Sequence, residues 1–241
     1  CGEVGEGRML EPLELVAVCA GQFGGGVLAG RRVVVSAGPT FEDLDPVRFI
    51  GNRSSGRMGY AVAQAAREAG ADVTLVSGPV ALPDPPGIAV QRVRSALDMR
   101  AAVLAAVADA DVYIGTAAVA DYRPAAPATQ KIKKDRDAFA IELVRNPDIL
   151  AEVAGLARRP FTVGFAAETD DVLAYARRKL DDKRLDLIAA NAVGAGLGFE
   201  TDDNALTLLW PGGQRELPRA SKAALARELI AVIAERLDAR G

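Results

Sequence analysis

From Arg32 onward the chain alternates short apolar runs with helix-patterned stretches, and this alternation restricts its fold more than any other feature. Val33-Val34-Val35-Ser36-Ala37 is almost continuously apolar, the pattern of a strand covered on both faces. A helix is predicted over 56–70, with Met58, Ala61, Val62, Ala65, Ala66 and Ala69 on one face and Gly70 as its stop. Further strands are predicted at 72–76, 111–116, 161–165 and 186–190, with helices at 96–109, 147–156 and 168–183. Strands that alternate with helices build βαβ units and a parallel sheet with right-handed crossovers. The expected class is therefore α/β: three-layered, Rossmann-like and mainly parallel. Two segments break the rhythm. Residues 117–145 hold Pro124, Pro127, a lysine cluster and an extended run over 139–144, and read as a protruding excursion. Runs at 205–210 and 214–217 flank Pro211-Gly212-Gly213 and read as an antiparallel hairpin. A last helix follows over 219–239.

Composition narrows the chemistry. The chain has 241 residues, enough for one large domain or two small ones. Residues 1–30 stand apart as a tail of an upstream domain plus a Gly-rich linker, and 31–241 as the main domain. The opening on Cys1 points to a fragment or a processed product. A net charge of -3 gives no basic footprint, so no nucleic acid is expected as partner. No apolar run reaches the roughly 18 residues of a membrane helix, so no membrane is expected either. Two cysteines, Cys1 and Cys19, give no disulfide framework and fit a reducing cytoplasm. There is no histidine. That removes Ser-His-Asp and Cys-His nucleophile schemes and the commonest zinc ligand. Catalysis must rest on Lys, Arg, Asp, Glu, Asn, backbone amides, and Mg²⁺ carried by phosphates.

The first strand-to-helix connection carries the strongest motif. After Gly38-Pro39-Thr40 and Asp45-Pro46-Val47-Arg48 comes Gly51-Asn52-Arg53-Ser54-Ser55-Gly56-Arg57-Met58-Gly59, entering a helix. Helix N-termini present open N–H groups to anions, and ligands of open α/β sheets bind beyond the carboxyl ends of the strands. Gly56 and Gly59 let a phosphate approach the backbone, while Ser54 and Ser55 either donate hydroxyls or cap the helix. An ordinary serine cap with glycines chosen for the turn is the alternative. Neither Gly-x-Gly-x-x-Gly directly after the strand nor a P-loop occurs. Lys131-Ile132-Lys133-Lys134 is either a solvated run or a basic flap that neutralises a triphosphate. Asp121 follows a strand end and serves Mg²⁺, a ribose or base group, or an Asx-turn. Phe165 stacks on a base or packs in the core. Asn191 meets a ligand amide or a turn. Asn146 reads as the cap of a helix with Pro147 at its first position, a start whose amides can also hold a phosphate. Lys179 and Lys183 lie one helical turn apart. Tyr175 and Lys179 have the Tyr-x-x-x-Lys spacing of short-chain dehydrogenases, without the glycine-rich cofactor loop such enzymes need. A non-catalytic nucleotide-binding module is a third reading.

Taken in order, Ser36-Ala37-Gly38-Pro39-Thr40, Asp45-Pro46-Val47-Arg48, the Asn52–Gly59 run, Ala118-Val119-Ala120-Asp121-Tyr122-Arg123-Pro124, Lys131-Ile132-Lys133-Lys134, Asn146-Pro147-Asp148-Ile149 and Gly164-Phe165-Ala166-Ala167-Glu168-Thr169 closely resemble the phosphopantothenoylcysteine synthetase family. The resemblance covers about residues 30–240. It implies a ligase that joins 4′-phosphopantothenate to L-cysteine in coenzyme A biosynthesis. CTP and Mg²⁺ would be used through an acyl-cytidylate, releasing pyrophosphate and CMP. It implies Asn52 and Lys131 as catalytic residues, Asn52 acting on the acyl-cytidylate and Lys131 lying on a closing flap. Gly38, Asn52, Ser54, Ser55, Gly56, Gly59 and Asn191 would hold phosphopantothenate. CTP would lie against Gly115, Thr116, Ala117, Asp121, Lys131, Pro147, Asp148, Ile149, Leu150, Phe165, Lys179 and Lys183, with Asp121 assisting the metal. The family forms homodimers, so the 117–145 excursion would serve dimerisation as well as the flap. The opening twelve residues resemble the end of the flavin-dependent decarboxylase that precedes the synthetase in bacterial bifunctional proteins. FMN would belong to that missing domain, and the full-length protein would form a larger oligomer.

Overall fold

The structure is a computed structural model, and it describes residues 25–133, 139–168, 171–192 and 203–240. The expected 1–30 tail therefore lies largely outside the described residues, as do Lys134 and Thr169. Leu28 is within them; it is buried, and its amide donates to Ala69 O.

The expected alternation forms one eight-stranded sheet. Strands β1 (Arg32–Ala37), β4 (Asp72–Ser77), β5 (Ala89–Arg92), β6 (Val112–Gly115), β9 (Phe161–Glu168) and β10 (Leu187–Ala192) run parallel. Strands β11 (Asp203–Trp210) and β12 (Gly213–Ser221) are the C-terminal hairpin, adding antiparallel to β10. The order is β12-β11-β10-β9-β6-β1-β4-β5. The helices are α1 (Arg57–Glu68), α2 (Ala96–Ala106), α3 (Ile149–Ala154), α4 (Val172–Asp182) and α5 (Lys222–Asp238).

Side-chain alternation along each strand makes the three layers. Val33, Val35 and Ala37 of β1 pack with α1 and α5 on one face, while Val34 packs with α2 and α3 on the other. On β10, Leu187 and Ala189 join the first face, and Ile188 and Ala190 pack against α4 on the second. Leu229 of α5 is fully buried, and truncating such a leucine to alanine costs about 2–5 kcal/mol.

Two small ladders project from this body. Strands β2 (Phe41–Asp43) and β3 (Phe49–Gly51) form an antiparallel hairpin, held by stacked Phe41 and Phe49 rings whose centroids lie 3.9 Å apart. Strand β7 (Tyr122–Pro124) pairs with β8 (Leu143–Arg145) across the excursion. β2, β3, β5 and β7 were not expected. The hairpin strands are three residues long, and β5 is an edge strand with exposed, polar positions, so no periodicity announces them.

The topology fixes where a ligand fits. From β1 the chain moves outward to β4 and β5, then returns through α2 to β6 on the other side of β1. The strand order reverses between β1 and β6, and the crevice beyond their carboxyl ends is the binding position in open α/β sheets.

Candidate functional site

The crevice starts where β1 ends. Gly38 takes a left-handed φ of 77°, and its carbonyl accepts from Ala118 N at 2.9 Å, tying the exits of β1 and β6 together. After the β2–β3 hairpin the chain returns through Asn52–Ser55 to Gly56, the N-cap of α1, also left-handed at φ 74°. No side chain caps α1; Ser54 Oγ accepts from Gly56 N at 3.3 Å, one step outside the helix. The alternative of an ordinary serine cap is therefore not what the helix start uses. A left-handed glycine turns the chain into the helix and brings no side-chain cap of its own. Gly59 lies against the sheet: a Cβ there would stand 2.3 Å from Thr116 Oγ1 and 2.5 Å from Ala37 Cβ. Only glycine lets the first turn of α1 sit on the ends of both strands.

This turn lines a cavity of 570 Å³ that brings together Asn52, Ser54, Ser55, Gly56, Gly59 and Asn191 of the residues proposed from the sequence for phosphopantothenate. Gly38 does not line it but supports it from behind, 3.5 Å from the position of a Gly56 Cβ. Thr116, expected at the nucleotide, lines this cavity and donates to Ser36 O at 2.6 Å. Sequence reasoning missed Asn204 and Lys222, both buried polar residues in its wall.

A second cavity of 810 Å³ opens on the other side of the β6 exit loop. Gly115, Pro147, Asp148, Ile149, Leu150 and Lys183, of the residues proposed from the sequence for CTP, line it. Five residues, Ala117, Val119, Asp121, Phe165 and Lys179, face both cavities. Asn52 Nδ2 donates to Val119 O at 2.9 Å, on that shared wall. Lys179 Nζ donates to Phe165 O at 2.9 Å. Tyr175, the other half of the dehydrogenase-like pair, is exposed beneath the Arg178 guanidinium and lines neither cavity.

The floor of the second cavity holds a residue pair that sequence reasoning also missed. Tyr113 and Ser36 hydroxyls hydrogen-bond at 3.0 Å, and burial pushes the Tyr113 phenol up to about 12. Tyr113 is therefore a neutral group at any working pH.

The expected cap of α3 is corrected. Asp148, not Asn146, is the N-cap, accepting from Ala151 N at 3.0 Å. Asn146 is buried instead; its Nδ2 donates to Ala120 O at 2.8 Å and its Oδ1 accepts from Arg123 at 3.0 Å. Those long-range partners outcompete a cap. They also fix the entrance of the second cavity to the β6 exit loop. The other Asp148 oxygen pairs with Lys183 Nζ at 2.5 Å. Burial raises the Asp148 pKa, but the Lys183 ammonium and the Ala151 amide outweigh it and hold it below the ordinary value.

Lys131 is exposed and lines neither cavity, so the structure does not bring it to the other candidate residues. Its neighbour is clamped, however. Ile132 N donates to the buried Asp45 carboxylate at 3.1 Å, and Ile132 O accepts from Arg48 Nη2 at 2.9 Å. Asp45 also accepts from Val47 N, Arg48 N and the Arg48 side chain. The guanidinium and these amides, against the opposing effect of burial, hold its carboxyl well below the usual range.

Among the described residues no three acidic or cysteine side chains gather as a metal site, and no helix is long and apolar enough to cross a membrane. Asp121, a lone carboxylate between the cavities, fits a Mg²⁺ whose other ligands are phosphate oxygens and water.

Residues 28–237 match the family described as DNA/pantothenate metabolism flavoprotein C-terminal domain. The chain is 57% identical over 241 residues to the coenzyme A biosynthesis bifunctional protein CoaBC of Vibrio cholerae, covering 98% of this chain and 60% of that one. It is 50% identical over 244 residues to CoaBC of Escherichia coli, covering 99% and 60%. The chain thus spans about 60% of the length of these curated relatives. Among solved structures, the C-terminal domain of CoaBC superposes with a TM-score of 0.76 at 40% identity, covering 89% of this chain and 99% of that one. A Cab2 mutant in complex with phosphopantothenate-cysteine shares the fold, with a TM-score of 0.68 at 16% identity over 96% of this chain and 95% of that one.

Proposed function

This chain belongs to the DNA/pantothenate metabolism flavoprotein C-terminal domain family, and from that premise we propose that it joins 4′-phosphopantothenate to L-cysteine using CTP. The observation that carries this reading is the wall shared by the two cavities. One cavity ends on an uncapped, glycine-rich helix start suited to a phosphate; the other, larger one is flanked by Lys179 and Lys183. Two phosphorylated substrates laid in them would meet at Val119, where Asn52 is held.

The phosphopantothenate carboxylate is already a nucleophile, which suits a chain without histidine. Its oxygen attacks the α-phosphorus of CTP, the bond to the bridging oxygen of the β-phosphate breaks, and pyrophosphate leaves. The cysteine amine, in its free-base form, then attacks the acyl carbon; the bond to the cytidylate oxygen breaks, CMP leaves, and the amine proton passes to solvent. Both steps need alignment and charge neutralisation more than a base. The Asn52 amide orients the acyl-cytidylate carbonyl. Lys131, carried on the Ile132-anchored segment, closes on the phosphates. Asp121 would hold a Mg²⁺ together with the triphosphate, and the ion would supply further neutralisation of phosphate charge. We assign the flavin implied by the resemblance to the part of the curated relatives that this chain does not match. The apolar groups exposed on the β2–β3 hairpin and the excursion, Phe49, Tyr122, Phe139 and Leu143 among them, favour a homodimer.

A pyrophosphate-release assay with CTP and ATP in parallel tests the reading. Release is expected to depend on CTP and phosphopantothenate together and to become sustained on adding cysteine. CTP binding without release would instead identify a nucleotide-binding module. Asn52→Asp should form the acyl-cytidylate and stall there, whereas normal product formation would remove Asn52 from the mechanism. Lys131→Gln should slow turnover by about 10²–10³-fold, as for the loss of one transition-state donor.

A further inference from the structure

Two buried Tyr–Ser hydroxyl pairs stand in the fold, and one of them is incomplete. In the first, Ser77 Oγ donates to Gly78 O at 2.9 Å, so its 3.0 Å contact with the Tyr60 hydroxyl uses the tyrosine proton. Both protons of that pair have an acceptor. In the second, the Ser36 and Tyr113 hydroxyls meet at 3.0 Å. One proton is used in that contact, and the other has no acceptor among the described residues. The adjacent Ser36 carbonyl already accepts from Thr116 N and Thr116 Oγ1. A buried donor left without an acceptor is costly, and such a group in a native fold calls for an explanation.

The spare proton sits where a ligand can take it. Ser36 and Tyr113 are each only 2% exposed, yet both line the second cavity. Glycine keeps the phenol bare. A Cβ on Gly115 would stand 3.4 Å from the Tyr113 oxygen and 3.3 Å from Leu150 Cδ1, so a side chain at 115 would lie over the hydroxyl. Polarity in this cavity is also graded. Its charged groups Lys179, Lys183 and Asp148 are all more exposed than the hydroxyl pair, and the Tyr113 phenol stays protonated, so the deepest polar groups are neutral. A nucleoside triphosphate laid along that gradient puts its phosphates toward the lysines and its uncharged base on the floor.

We infer that the Ser36–Tyr113 pair is a specificity determinant for the nucleotide base, its spare proton donating to an acceptor on the cytosine edge, the N3 ring nitrogen or the O2 carbonyl. This rests on the binding of CTP in the second cavity proposed above.

Calorimetry on the full chain with Mg²⁺ present tests the inference with three nucleotides: CTP, 3-deaza-CTP, in which C–H replaces the N3 acceptor, and 2-thio-CTP, in which a weakly accepting sulfur replaces O2. One of the two analogues should bind the wild type about 2- to 10-fold more weakly than CTP, the range of one neutral hydrogen bond. Ser36→Ala combined with Tyr113→Phe removes both hydroxyls together and leaves no new orphan. In that double variant CTP should weaken by a similar factor, and the difference between CTP and the analogue should vanish. Inorganic tripolyphosphate, which has no base, should bind both proteins within about twofold, the margin expected of a site left otherwise intact. Three results overturn the inference: both analogues binding the wild type as CTP does, an analogue difference that persists in the double variant, or a tripolyphosphate affinity that falls together with that for CTP. Should the double variant lose its cooperative melt, Tyr113→Phe carries the test. It removes one hydroxyl and the hydrogen bond that aims the other, so the analogue difference should shrink or vanish; an unchanged difference overturns the inference. If the wild type does not bind CTP, the nucleotide reading itself fails, and that result is visible before any analogue or variant is compared.

Discussion

At the scale of single residues, the molecule joins groups that the chain keeps far apart. Asp45 and Ile132 are 87 positions apart, yet the buried Asp45 carboxylate takes the Ile132 amide while Arg48 takes the Ile132 carbonyl. Asp45 is thus a positioning residue for the segment that carries Lys131. Asp45→Asn breaks the ion pair and should lower turnover while leaving the Michaelis constant for phosphopantothenate unchanged. It should also speed tryptic cleavage after Lys131 and Lys133; an unaltered cleavage rate would sever the link between Asp45 and this segment. The pH dependence has a definite sign. The folded-state pKa of Asp45 is depressed, so its contribution to stability is complete above the unfolded-state value of about 3.9 and is lost as pH falls below it. Denaturant midpoints measured from pH 7 down to pH 3 should therefore fall less steeply in Asp45→Asn than in the wild type. The Asp45-Pro46-Val47-Arg48 motif was visible in the sequence, but its burial and its partner were not, because no local pattern encodes a contact of that range. Lys222 left a fainter mark: a lysine where the first helical turn favours acids.

At the scale of elements, whatever obeys a period was legible. Strands β1, β4, β6, β9 and β10 and helices α1 and α5 come within a few residues of expectation, because burial on one or both faces imposes regular spacing on their sequences. The start of α1 was legible as glycine-rich but not in its mechanism, since a serine cap and a left-handed glycine look alike in sequence. Gly59 gives the means to separate fold from site here. An alanine methyl would press into Ala37 and Thr116, lifting the first turn of α1 from the sheet. Overpacking of this kind costs about 1–3 kcal/mol, or a fall of roughly 2–12 °C in melting temperature for a domain this size. If the displaced turn is the phosphate end of the first cavity, as proposed, phosphopantothenate affinity should fall further than CTP affinity. Losses of equal size for the two ligands would show that the turn supports the whole crevice rather than one substrate.

At the scale of the whole molecule, the two small ladders matter most. The β2–β3 hairpin and the β7–β8 pair rise on the carboxyl side of the sheet, and between them expose Val47, Phe49, Tyr122, Phe139, Ile141 and Leu143. Each of these is 39–60% exposed, and scattered single apolar residues would need no explanation. These are not scattered: they lie on or beside two adjacent ladders in segments that also carry Asp45, Arg48, Asn52 and Lys131. A second copy of the chain covering this surface would hide the apolar groups and at the same time stabilise the segments that frame the reaction. Val47→Glu combined with Leu143→Glu places a charge on each projection without touching a cavity-lining residue or the Phe41–Phe49 stack. The double variant should sediment as a monomer at micromolar concentration, with its secondary structure intact and turnover reduced at least tenfold if the copies support each other's sites. A monomer with full turnover would confine dimerisation to stability, and an unchanged dimer would move the interface elsewhere. Only the first outcome explains why the apolar surface and the candidate catalytic residues ride on the same two ladders.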